Sequence, residues 1–416
     1  MNRYEKYKPS GIDWLPQIPS HWEMSKTKYY FKYTTGFTPP SGQDEFYYGH
    51  LIWVTIADMN KKIVLDSANT LSNLAIERFK PDVTKKNSLL FSFKLSVGKV
   101  AFAGKDLYTN EAIISILPNE NYDVRYFYYT LPEQLLQNAN ENIYGAKMLN
   151  QELIRNASIC FPPLPEQTAI ANFLDEKTAK IDKLISNKQI LIELLKEEWT
   201  AIINEAVSGK GKKWERKKLK YVVSKIGSGV TPYGGASVYL LEGIPLLRSQ
   251  NILSDRLELS DVAYISKEID EQMSNSKIEE GDVLLNITGA SIGRCYYVPK
   301  DFGRGNVNQH VCILRPIQTK IITEYLHLFL ISSYGQVLID ICQNGANREG
   351  LNFQQIKSFE IPLPKISEQY KVLKHTQNEI KKIETTISKI EKEIELMQEY
   401  RTALISEVVT GKIKIN

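Results

Sequence analysis

The spacing of apolar residues changes character twice along the chain. Over 368–409 apolar residues recur in alternating steps of three and four, through Leu373, Ile380, Ile383, Ile387, Ile390, Ile394, Met397, Leu404 and Val408, with Thr376 and Arg401 in the same register. This heptad pattern predicts one long helix with a narrow apolar seam. Residues 166–207 carry a looser version, through Ile170, Leu174, Ile181, Leu184, Ile185, Leu191, Ile192, Leu195, Trp199, Ile202 and Ala206, interrupted by Lys177 and Lys188. Elsewhere short β-rich runs dominate, at 51–56, 88–93, 113–117, 283–287 and 311–314, bounded by Gly, Asn, Asp and Pro. Helical stretches are predicted at 124–138 and 322–341.

The two helical patterns are copies. Glu166-Gln167 recurs as Glu368-Gln369 and Val207-Ser208-Gly209-Lys210 as Val409-Thr410-Gly411-Lys412, both 202 positions apart. The segments before them match in order but with drifting offsets. Gly36-Phe37-Thr38-Pro39 pairs with Gly229-Val230-Thr231-Pro232, and 51–54 with 244–247. Leu89 through Gly98-Lys99 pairs with Leu284 through Gly293-Arg294, and Asn110-Glu111 with Asn308-Gln309. Gly145-Ala146 and Leu149-Asn150 pair with Gly345-Ala346 and Leu351-Asn352. A repeat this long is a whole domain plus a helix, well beyond a solenoid unit. It divides the chain into a head at 1–165 with a lead at 1–22, a helix at 166–210, a second head at 211–365, and a second helix with its tail at 366–416. Pro-rich leads, Phe161-Pro162-Pro163-Leu164-Pro165 and Ile361-Pro362-Leu363-Pro364, stop each head before its helix.

A helix of this length extends roughly 60 Å. One with an apolar stripe needs a partner to be stable. The nearest partner is the other copy, so the seam residues Ile181, Leu195, Ile202, Ile383, Ile387, Ile390, Ile394 and Leu404 are expected to pair within the chain. Antiparallel pairing would place the heads at opposite ends of one spacer.

Composition narrows the class only modestly. The chain has 416 residues, 43% hydrophobic and 24% charged, with a net charge of +4. That length allows two or three domains with real cores. No apolar run approaches the roughly 20 residues of a membrane span. The N-terminus opens polar, which signals no secretion and predicts a cytoplasmic protein. The four cysteines, Cys160, Cys295, Cys312 and Cys342, are scattered without zinc-ligand spacing, and no metal site is expected. The five histidines show no spacing for metal or acid–base work. A weak positive charge alone would not point to nucleic acid.

The order of motifs is more specific. The lead Tyr7-Lys8-Pro9-Ser10-Gly11-Ile12-Asp13-Trp14-Leu15 runs into Ile18-Pro19-Ser20-His21-Trp22. Gly-x-Thr-Pro stands early in each head, the run Asn286 to Arg294 reads Asn-x-Thr-Gly-x-Ser-x-Gly-Arg, and Glu-Gln opens each helix. In this order, and repeated, these motifs resemble the specificity subunit of Type I restriction-modification systems over essentially the whole chain. The resemblance implies an α+β protein with two mixed α/β target-recognition domains, separated by two long helices that form an intramolecular antiparallel coiled coil. Each head would read one half of a bipartite site on double-stranded DNA. The helices would set the spacer and dock two methyltransferase subunits, with restriction and translocase subunits joining. The chain itself would bear no catalysis and bind no cofactor; S-adenosylmethionine, ATP and magnesium belong to the partner subunits. Two departures stand out. Pro364-Lys365-Ile366-Ser367-Glu368 looks longer than Pro165-Glu166, and Lys94-Leu95-Ser96-Val97 replaces Thr288-Gly289-Ala290-Ser291.

Two other classes compete. A DNA-modifying enzyme with fused recognition domains would need a Gly-rich cofactor loop or an Asn-Pro-Pro-aromatic motif. Phe161-Pro162-Pro163-Leu164 lacks the Asn and the aromatic. A two-headed coiled-coil scaffold for proteins would show no sequence-dependent DNA binding.

Base edges are read by Arg or Lys at guanine, Asn or Gln at adenine, and Ser or Thr at either, while phosphates take Lys, Arg and hydroxyls. On that chemistry the DNA-contact candidates of head one are Thr38, Thr55, Lys94, Ser96, Lys99, Asn110 and Lys147. Those of head two are Arg248, Ser249, Asn251, Thr288, Ser291, Arg294, Asn308, Gln309, Asn347 and Arg348. The basic run Lys212 to Lys220 is better explained as a solvated linker with Trp214 packed on the head than as a phosphate site.

Overall fold

The duplication in sequence is a duplication of topology. In the computed structural model, which describes residues 2–94, 96–141, 147–343 and 350–415, the chain divides into two units. Unit 1 comprises 1–187 with 393–416, and unit 2 comprises 188–392.

Unit 1 is built on an antiparallel sheet of β1 (Tyr33–Thr35), β2 (Leu89–Ser92), β3 (Val100–Ala103) and β4 (Ile113–Ile116), in the order β1-β4-β2-β3, with a short fifth strand, Ile63–Val64, parallel to β3. Strands β2 and β4 are buried along their whole length, which is why their apolar runs are nearly continuous rather than alternating. A second sheet of three strands centres on Tyr47–Val54, antiparallel to Asn69–Leu71 and parallel to Tyr108–Thr109. Helix α1 (Val124–Leu136) packs its Tyr126, Phe127, Leu131 and Leu135 into the main core. Helix α2 (Gln151–Asn156) is capped by Asn150, whose side chain accepts the Leu153 N–H at 2.8 Å.

Unit 2 repeats this plan. Its main sheet holds β5 (Val223–Ser228), β6 (Val283–Asn286), β7 (Cys295–Tyr297) and β8 (Val311–Pro316), again in the order β5-β8-β6-β7. The second sheet centres on Ile244–Leu247, antiparallel to Ala263–Ile265 and parallel to Asn306–Val307. Asn352 caps its short helix Phe353–Ser358 as Asn150 caps α2, so the repeated Leu-Asn pair is a buried Leu followed by a helix cap. His327 lies buried in the helix Thr323–Ile331. Its Nε2–H is shared between the carbonyls of Cys295 and Ser254, both at 3.1 Å, and burial pushes its pKa down to about 4. Among the described residues no single helix is long and apolar enough to cross a membrane.

The long helices run from Leu164 to Ser208 and from Ile366 to Val409. Each starts two residues before its Glu-Gln pair, and each preceding strand, Ser158–Phe161 and Glu360–Leu363, ends at the matching place. The apparent lengthening before Glu368 is therefore no insertion: Pro364 corresponds to Pro162. Both prolines accept a hydrogen bond at 2.9 Å from the side chain of the repeated glutamine. Gln167 also accepts the Asp123 N–H and donates to Tyr30 Oη. Gln369 likewise accepts the Ile322 N–H and donates to the Lys320 carbonyl. These two buried amides fasten each helix to its head.

Within each unit the helices pair antiparallel. In unit 1 the start of the first helix and the end of the second meet at the head, with Ile170, Leu174 and Ile181 in one cluster with Leu404, Val408 and Val409. Farther out, Arg401 Nε donates to Asp182 at 2.8 Å, so Arg401 bridges the pair from its flank. In unit 2 Trp199, Ile203 and Val207 share a cluster with Leu373 and Ile380. Ile383 and Ile390 are buried, and Leu195, Ile202, Ile387 and Ile394 are half-buried. The first helix departs from the expected seam in two ways. Leu184 and Leu191 are exposed, and Thr178 and Ile203 are more deeply buried than Lys177 and Ile202. The buried positions follow the helical steps set by the head contacts, and the extra leucines fall off that stripe.

The repeated Val-x-Gly-Lys tail ends each helix. Gly209 and Gly411 have φ of +63° and +71°, the left-handed conformation of a helix C-terminus. A Cβ on Gly411 would lie 2.5 Å from Pro19, and one on Gly209 would lie 3.0 Å from the Trp214 ring. Trp214 thus lies against the end of the first helix. In unit 1 the tail reaches the N-terminal lead: Tyr7 Oη donates to the Gly411 carbonyl at 3.1 Å, and Asn2 bridges to Lys414.

Candidate nucleic-acid interface

The loops between sheet strands bring the candidates of head two together. The Gly-x-Thr-Pro glycine explains itself first. A Cβ on Gly229 would sit 1.6 Å from the Val307 carbonyl oxygen, and one on Gly36 would sit 2.1 Å from that of Thr109. Only glycine lets this loop cross so close to the neighbouring strand. The crossing places the motif's threonine against the loop that follows. Thr231 donates to Gln309 Oε1, and in head one Thr38 donates to Glu111 Oε2.

In head two the chain of contacts continues. Gln309 Nε2 donates to His310 Nε2 at 2.9 Å, which makes that nitrogen the acceptor and leaves the ring proton on Nδ1. Nδ1 meets Thr288 Oγ1. Thr231, Gln309, His310 and Thr288 therefore form one hydrogen-bonded line across three loops. Asn286 continues the polar cluster from below. Its Nδ2 donates to the Ser249 carbonyl at 2.8 Å and to Ser291 Oγ at 3.2 Å, while its buried Oδ1 has no partner among the described residues.

Other candidates hold loops in shape. Asn251 is buried; it accepts the Arg248 N–H and donates to the Glu258 and Asp261 carbonyls, all at 2.9 Å. It cannot also reach a base. Asn308 is nearly as buried and accepts the His310 N–H at 3.1 Å, capping the turn that presents Gln309. Arg248 is half-buried, with Nη2 on the Asp261 carbonyl at 3.1 Å and its guanidinium near the Tyr239 ring. Arg294 is exposed. Asn347 and Arg348 lie outside the described residues.

Head one repeats the frame with different contents. Thr55 is bound to Asp58 through both N–H and Oγ1 at 2.8 Å, occupying the place of Arg248 with Asn251. Lys99 caps the neighbouring loop, with Nζ on the Ile56 carbonyl at 3.2 Å and on Asn60 at 2.9 Å. Asn110 accepts the Ala112 N–H at 3.2 Å, as Asn308 does from His310. Lys94, Ser96 and Lys147 are exposed. The backbone ladder also revises the register between heads. Ser92 pairs with Ile113 and Asn286 with Val311, so Ser92 corresponds to Asn286 and Leu90 to Leu284. The loop leading from there to Gly98 or Gly293 is one residue shorter in head one. Ser92 closes it by donating Oγ to the Ser96 carbonyl at 2.5 Å.

Sequence reasoning passed over two residues of this loop cluster. His310 was set aside for want of a metal or acid–base spacing, yet it links Gln309 to Thr288. Glu111 is not among the sequence candidates, although Thr38 donates to it. Its alignment with Gln309 was the signal available.

Comparison with known proteins gives a consistent family. Residues 19–194 and 211–396 match the family model described as the Type I restriction modification DNA specificity domain. The chain is 28% identical over 295 residues to the Type I restriction enzyme EcoBI specificity subunit of Escherichia coli, covering 64% of this chain and 61% of that protein's length. It is 23% identical over 420 residues to the MjaVIII specificity subunit of Methanocaldococcus jannaschii, covering 96% and 94%. Among solved structures, a chain from work on complex assembly and conformational transition of the type I R-M system superposes with a TM-score of 0.75 at 13% identity, covering 95% of this chain and 99% of that one. The HsdS subunit from Thermoanaerobacter tengcongensis gives 0.58 at 13% identity, covering 95% and 98%. These two likenesses concern the fold.

Proposed function

The chain belongs to the family of Type I restriction modification DNA specificity domains, and on that footing we propose that it is the DNA-specificity subunit of a Type I restriction-modification complex. Each head reads one half of a bipartite site in double-stranded DNA. The long helices act as spacer and as docking surface for two methyltransferase subunits, and restriction subunits join that core. Chemistry on DNA is carried out by those partners, which hold S-adenosylmethionine, ATP and magnesium; this chain supplies no catalytic group. Such a complex works in the cytoplasm, where the chromosome is.

The observation that carries this reading is the paired interface. Two heads with the same strand order present the same loops, held by the same Gly-x-Thr-Pro crossing, yet the exposed side chains differ between them. A duplicated frame with divergent contents suits two different half-sites, so the target is asymmetric. Phosphate contacts position such a protein and base edges specify the site. The modest net charge of +4 implies that the partners supply much of the phosphate contact.

The test is co-expression with the modification subunit, followed by mapping of N6-methyladenine in host DNA. One bipartite, non-palindromic motif with a fixed gap is expected. A palindromic motif would overturn the two-half-site reading. Cleavage or methylation of DNA by the purified chain alone would replace it with an enzyme, and absence of any sequence-dependent binding by the assembled complex would favour a protein scaffold.

A further inference from the structure

We propose that Glu111 and Gln309 are the specificity-determining pair of the two heads, with Glu111 selecting a cytosine and Gln309 an adenine at equivalent positions of the two half-sites. The proposal rests on the DNA-reading function above and deepens it.

Four observations converge on this position. Both residues are exposed, on the turn between the second sheet and the start of β4 or β8. Both turns are built the same way, the preceding asparagine accepting the N–H two residues on, from Ala112 at 3.2 Å and from His310 at 3.1 Å. Both side chains are oriented by the threonine of Gly-x-Thr-Pro, whose hydroxyl donates to one of their oxygens. And at this one buttressed place the chemistry differs between heads: a carboxylate against an amide.

The difference dictates what each can read. A carboxylate only accepts, and the Thr38 hydroxyl leaves lone pairs on both Glu111 oxygens. Its complement in the major groove is an exocyclic amino group, and cytosine N4 presents one without an adjacent acceptor. Adenine places N7 beside its amino group, and guanine shows two acceptors, so each sets a lone pair against the carboxylate. Gln309 keeps one N–H and one oxygen lone pair free after its bonds to His310 and Thr231. An amide with one donor and one acceptor available matches adenine N7 and N6 in a bidentate pair. Thr38, Thr231 and His310 act as positioning residues, because they fix the rotamer in which these groups face outward.

The test uses the full chain assembled with its modification subunit and scores the methylated motif base by base. Glu111→Gln is expected to lose its cytosine preference at one position of one half-site by about tenfold or more, in favour of adenine, with the other half-site unchanged. Gln309→Glu is expected to do the reverse in the other half-site. Thr38→Val should relax the same position as Glu111→Gln without a new preference. A wild-type motif that is bipartite while both exchange variants keep every base preference would overturn this assignment alone. So would a uniform loss of methylation across all positions in variants that copurify and melt as the wild type does. Absence of a bipartite motif in the wild type would instead remove the underlying reading.

Discussion

At the scale of residues, the clearest measurable consequence belongs to His327. Burial between Tyr296, Tyr297 and two carbonyls holds this imidazole neutral, with its pKa down to about 4, whereas an unfolded chain titrates it near 6.5. Above 6.5 the folded and unfolded states are both neutral and the stability is fully present. Below it the unfolded chain binds a proton that the folded head refuses, so stability falls as pH drops from 6.5 toward 4. The total is roughly 3 kcal/mol, from the shift between those two values. Urea denaturation of the wild type and of His327→Gln at pH 7 and pH 5 measures it: the wild type should lose more stability between the two pH values. Equal losses would show that the imidazole does not carry the effect. The same scale shows why interface residues were only half legible. Side-chain type selects the candidates, but Asn251, Asn308, Thr55 and Lys99 bond to their own or a neighbouring loop. Type alone does not say whether a donor is free, because that depends on partners brought by other strands.

At the scale of elements, the helices were readable because a heptad is a local signal and the repeated Glu-Gln fixes register. The function of that pair was not readable. Gln167 and Gln369 are buried amides that accept backbone N–H groups more than forty residues back in the chain. Replacing Gln369 by Ala strands the Ile322 N–H and the Lys320 and Pro364 carbonyls. Each buried group left unpaired costs about 1–3 kcal/mol, so a loss of several kcal/mol is expected in chemical denaturation, larger than for an exposed neighbour such as Ser367→Ala. A change of less than about 1 kcal/mol would mean that water replaces the amide. Sheet order was also beyond sequence reading. The strands of β2 and β6 were visible as apolar runs, but their one-residue shift between heads appears only in the ladder. Gly98 and Gly293 align so well by eye that the shorter loop beside them is hidden.

At the scale of the molecule, the informative fact is that unit 1 is discontinuous. Leu404, Val408 and Val409 belong to its core, and Gly411 seats against Pro19 and Trp22. Unit 2 is a continuous stretch, 188–392. A chain stopped after Lys392 keeps every residue of unit 2 and loses a wall of unit 1. Limited proteolysis of that truncation should leave a resistant fragment from unit 2 while unit 1 is digested. Equal resistance of both would show that the tail is dispensable to the first core.

Protein synthesis runs from the N-terminus, so the bridge between Asn2 and Lys414 sets a timetable. Head two has everything it needs once residue 392 has left the ribosome. Head one, translated first, holds an apolar gap open while the whole of unit 2 is made, until Leu404, Val408 and Val409 emerge and close it. A translation stalled within unit 2 therefore leaves the older domain with this apolar wall uncovered.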